Sequence, residues 1–122
     1  MPAPSPLAIA SSSLQRLVKE EHSYHKELEQ QEARLQKLEQ EKATSSDENV
    51  EYQIRQEKQA IEETKGVFGQ LRKKISDATA RLESELEAEA GKGQDSNVEE
   101  ITKAKETVAE AKQAYRELMD GA

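Results

Sequence analysis

The sequence predicts an all-α fold, an elongated antiparallel three-helix bundle with left-handed, coiled-coil-like packing, on three observations. Of its 122 residues, 64 are Ala, Glu, Lys, Leu or Arg, the composition of long helices. Apolar residues recur at spacings of three and four through three stretches instead of alternating as they would in strands. Two short breaks rich in Ser, Asp, Asn and Gly separate the stretches, and short connections turn successive helices antiparallel.

The elements follow in order. Residues 1–11 hold all three prolines, Pro2, Pro4 and Pro6, which remove backbone donors and favour an extended chain, so a disordered tail is expected there. Ser12 and Gln15 stand at capping-box spacing, and helix 1 is expected over residues 12–43. Its stripe runs Leu14, Leu17, Glu21, Tyr24, Leu28, Gln31, Leu35, Leu38, interrupted by Glu21 and Gln31. A polar run at residues 43–47 stops it.

Helix 2 is expected over residues 47–90, capped by Ser45 with Glu48. Its seam is Val50, Ile54, Glu57, Ile61, Thr64, Phe68, Leu71, Ile75, Ala78, Leu82. Gly66 and Gly69 cost helix propensity and predict a loosened turn. Glu83, Glu85, Glu87 and Glu89 crowd the negative end of the helix dipole and predict fraying. Gly91 and Gly93 break the chain, and helix 3 follows over residues 96–119 with a thin seam of Ile101, Ala104, Val108, Ala111, Tyr115 and Leu118. It is too short to follow helix 2 throughout, so a three-helix half and a two-helix hairpin are expected, with Tyr24 set beside Phe68 by a turn centred near residue 46.

Hydrophobic and charged residues are nearly equal at 34% and 35%, which excludes a thick core. With no Trp and one Phe, a roomy aromatic-walled pocket is not expected. The net charge of −7 disfavours nucleic acid and anionic lipid as partners. No apolar run approaches the roughly 20 residues that span a bilayer, and the lack of cysteine fits a reducing, cytoplasmic setting. No Gly-rich phosphate loop or nucleophile with a paired base is present, so no catalytic residue, no cofactor and no enzyme activity are expected.

Two clusters stand out from the solvated acidic background. His22 and His25 lie at i, i+3, a spacing that can place two imidazoles on one metal. A structural zinc site wants four ligands and no cysteine is available, so they read as surface histidines and no metal is expected. Arg72, Lys73 and Lys74 form a basic cluster on helix 2, and the antiparallel register brings Arg16 and Lys19 to its level. Together they would make a positive band suited to an acidic protein patch.

Residues Arg16-Leu-Val-Lys-Glu20, Tyr24, Lys26-Glu27 and Gln30-Gln-Glu32, followed by Asn49, Tyr52, Ile54-Arg55-Gln56 and Ile61-Glu-Glu-Thr64, resemble the tubulin-binding cofactor A family. The likeness extends through helix 3 and covers about Leu14 to Met119. It implies a rod-like three-helix bundle, non-catalytic, acting as a monomer in the cytoplasm and associated with the cytoskeleton. It implies capture of near-native β-tubulin after chaperonin release, to be held for assembly with α-tubulin. Many members carry a proline near the middle of helix 2, where this chain has Val67-Phe68-Gly69. With such a client, Arg16, Lys19, Arg72 and Lys73 are the candidates for charge pairing, and Tyr24 and Tyr52 for contact area. A prefoldin-like subunit would need strand-forming runs that are missing here, and a coiled-coil adaptor or spacer would use an outer seam to dimerise.

Overall fold

The computed structural model describes residues 3–121, with side chains through Leu118. Three helices form, α1 Pro6–Thr44, α2 Glu48–Ala90 and α3 Val98–Gly121. At a rise of about 1.5 Å per residue they are roughly 58, 65 and 36 Å long. Each packs against the other two, and no strand occurs among the described residues.

The side-chain pairs fix direction and level. Arg34 with Glu57 at 3.4 Å and Lys42 with Glu51 at 3.5 Å run α1 and α2 antiparallel, at the level expected of a turn centred near residue 46. Ser5 donates to Glu100 at 2.9 Å and Ser11 to Thr107 at 3.4 Å, so α3 returns parallel to α1. It therefore covers only the half of the rod that holds both the start of α1 and the end of α2. Leu7, Leu14, Val18, Phe68, Leu71, Ile75, Leu82, Ala104, Ala111 and Leu118 join there in one core. Val50, Ile54 and Ile61 are buried in the thinner α1–α2 hairpin beyond it.

The N-terminal boundary departs from expectation. Helix begins at Pro6, with Ser5 accepting a hydrogen bond from the Ala8 backbone N–H at 3.1 Å, so only residues 3–5 of the described part of the expected tail are non-helical; Met1 and Pro2 lie outside the described residues. Proline suits a helix's first position, where its missing N–H has no partner to lose. Leu7 and Ala10, 3% and 2% exposed, then extend the stripe one step up the core. Their burial holds the segment down.

The cap of α2 shifts by two residues, from Ser45 to Asp47. Asp47 caps α2 by accepting from Asn49 N–H at 3.0 Å, while Ser45 accepts from Asp47 N–H. Asn97 caps α3 by accepting from Glu100 N–H at 3.1 Å. α2 continues as helix through Gly66 and Gly69, where an added Cβ would meet nothing.

The end of α2 is tied rather than frayed. Glu89 is buried, accepts from Asn97 N–H at 3.0 Å and pairs with Lys92 at 2.7 Å. The Lys92 contact first, then the backbone N–H, holds its carboxyl below the usual range. A single 3-10 turn, Gly93–Asp95, completes the connection, and Gly93 at φ 64° supplies the left-handed conformation it requires.

Leu7→Ala should cost about 2–5 kcal/mol and lower the thermal midpoint by circular dichroism by about 5 °C or more. An unchanged midpoint would return residues 6–10 to a tail.

Candidate interaction surface

Open grooves run along the rod where helices meet. One of about 460 Å³ runs between α2 and α3, lined by Ser76, Thr79, Glu83, Lys112 and Tyr115 among others. Another of about 340 Å³ lies between α1 and α2, with Leu17, Lys74, Asp77 and Arg81 on its walls. Grooves of this kind leave their lining side chains in contact with water.

Leu17 and Lys74 share that second groove, so Arg16 and Lys19 stand at the level of the 72–74 cluster. Arg16, Lys19 and Lys73 are exposed, and Arg72 is half-buried. Tyr24 is partly buried against the core, so part of the ring serves packing. Tyr52 is 54% exposed but lies 20 residues before Arg72, about 30 Å along α2. The six candidates thus divide: four cations at one level of the three-helix half, Tyr24 next to them, and Tyr52 far off on the hairpin. Among the described residues, Ile9 and Val98 are also large exposed apolar side chains, at 45% and 69%. Both belong to the end of the rod where α1 and α3 begin, and neither falls on a stripe that sequence spacing would select.

The histidines differ from the expected pair of surface side chains. His25, 30% exposed in its side chain, stacks on Phe68 with ring centroids 4.7 Å apart and planes 26° from parallel. Its Nε2 lies 2.6 Å from Oε1 of Glu21. His22, mostly exposed, brings Nδ1 to 3.2 Å from Oε2 of the same carboxylate. Glu21 itself is fully buried. Its oxygens accept no hydrogen bond among the described residues.

Burial raises the Glu21 carboxyl above its ordinary value; His25 and then His22 oppose the rise, and Glu117 adds to it. Its spacing on the apolar stripe marked Glu21 as an interruption, but the arrival of Glu117 from α3 depends on a register that no local pattern encodes.

The model of the family described as tubulin binding cofactor A matches residues 2–108. The chain belongs to the tubulin binding cofactor A family. It is 30% identical over 118 residues to a tubulin-specific chaperone A of Saccharomyces cerevisiae, covering 97% of each chain. It is 31% identical over 110 residues to a tubulin-folding cofactor A of Arabidopsis thaliana, covering 89% of this chain and 90% of that one. No solved structure gives a significant match. The family match begins at residue 2, so it includes the segment of α1 that proline content had suggested was a tail. Among the described residues no helix is long and apolar enough to cross a membrane.

A folded-state carboxyl pKa raised above the unfolded value contributes stability that is fully present below the unfolded pKa and is lost as pH rises through the folded one. In thermal melts of wild type against Glu21→Gln, the wild type should therefore gain relative to the variant as pH falls from 7 to 4.5. A difference that stays constant over that window would contradict the upward shift.

Proposed function

We propose that this chain is a non-catalytic tubulin-folding cofactor that binds β-tubulin in a near-native state after chaperonin release and holds it for assembly with α-tubulin. The observation that carries this reading is likeness along nearly the whole rod to relatives named as tubulin chaperones and cofactors. The shape supports it, because open grooves and long outer faces suit capture of a large folded surface.

Capture of this kind needs no nucleotide. A protein that binds one state of its client shifts the client's population by differential affinity alone. Both the chain, at −7, and its tubulin client are acidic, so long-range charge opposes encounter and local cations must counter it. Arg16 and Lys19 on α1, with Arg72 and Lys73 on α2, are the side chains we assign to that task; Tyr24 and Tyr52 add contact area. The protein acts in the cytoplasm as a monomer, in association with the tubulin cytoskeleton.

The reading is tested by pull-down from cell lysate, probed separately for β- and α-tubulin. Wild type should retain β-tubulin preferentially. Arg16→Glu with Lys19→Glu should lower retention about tenfold or more, equivalent to losing roughly 1.4 kcal/mol, with helicity unchanged because both positions are exposed. Equal retention by the double variant would remove the band from the interface, and no tubulin retained by wild type would overturn the function.

A further inference from the structure

The geometry points to a divalent metal site of the zinc class that clasps α1 to the end of α3, with Glu21, His22 and Glu117 as its protein ligands. One ligand atom from each of these three side chains lies within 4.8 Å of the others. Two carboxylates and an imidazole are a donor set that zinc accepts, with water completing four-coordination.

Three features of the chain favour a cation at this place. The first is Glu21, whose carboxylate is 0% exposed with both oxygens free of hydrogen bonds among the described residues. A buried carboxylate is costly without full compensation, and a metal ion supplies it in one step. The second is Glu117, which brings another negative charge to the same spot near the C-terminal end of α3. That helix has no basic residue in its last turn, so the negative end of its dipole adds to the local repulsion. The third is His25, which stacks on Phe68 and faces the other oxygen of Glu21 at 2.6 Å. It would orient the ligating carboxylate from behind, as outer-shell partners do.

Spacing is compatible with zinc. Ligand bonds of about 2.0–2.2 Å in a tetrahedron put donor atoms about 3.4 Å apart. His22 Nδ1 and Glu21 Oε2 already stand at 3.2 Å, while Glu117 and His22 are exposed and free to close by rotation of their side chains. The site differs from the His22–His25 pair that spacing alone suggests, because the third ligand comes from a helix almost a hundred residues later in the chain. Its seating matters to the fold, since it sits where the three-helix half gives way to the hairpin and would pin the last turns of α3 there.

Isothermal titration calorimetry of the full chain with zinc chloride, paired with thermal melts, tests this. The expected result is saturable binding of one zinc per chain and a thermal midpoint raised by zinc. His22→Gln and Glu117→Gln, both at exposed positions and folded by circular dichroism without metal, should each weaken binding by more than about tenfold, since even outer-shell changes cost about 10–100-fold. Absence of saturable binding overturns the site, and so does affinity left unchanged by both His22→Gln and Glu117→Gln.

Discussion

Burial of one narrow stripe per helix is the constraint on which the rest of the molecule depends. Long charged helices have little stability of their own in water, because nucleation is unfavourable and most helical stability comes from packing. Here each helix offers one apolar position about every three or four residues, each Leu, Ile or Val contributing roughly 1.5–3 kcal/mol when buried. Three such stripes meet only where α3 is present. That half carries the main core, and the hairpin beyond is held by two stripes.

Polar groups inside the seam are handled in two ways. Thr64, Thr79 and Thr107 return their hydroxyls to the carbonyls of Ala60, Ile75 and Lys103, so their burial leaves the donor satisfied. Thr107 also accepts from Ser11 and from Gln15 at 3.2 Å, which registers α3 against α1. Glu21 has no such local recourse. It sits where α3 is ending and gathers His22, His25 and Glu117 around it. The apolar strip of α1 is thus broken by a carboxylate at the place where bundle becomes hairpin.

Much of this was legible in the residues. Helix number, antiparallel order and the α2 seam from Val50 to Leu82 followed from periodicity because a 3–4 spacing sustained over ten positions has few other physical readings. The start of α1 was misread because proline argues against helix interiors but suits a first turn, and only the burial of Leu7 distinguishes the two. Glu89 was read as a fraying charge, since its partners, Lys92 and the Asn97 backbone, become neighbours only once the turn has closed. The cations Arg16, Lys19 and Arg72 to Lys74 were visible in the residues, and their common level followed from the hairpin register. The Glu21–His22–Glu117 group needed the α1–α3 offset, which depends on tertiary packing and on the seven-residue connection between α2 and α3.

A rod secured at one half has a measurable signature in backbone amide exchange. Followed by mass spectrometry at neutral pH, exchange should be slowest in residues 7–21, 68–82 and 104–118, and markedly faster in residues 30–60, because local opening of the hairpin exposes two stripes rather than three. Equal protection along the whole rod, or slower exchange in the hairpin than in the three-helix half, would contradict the account.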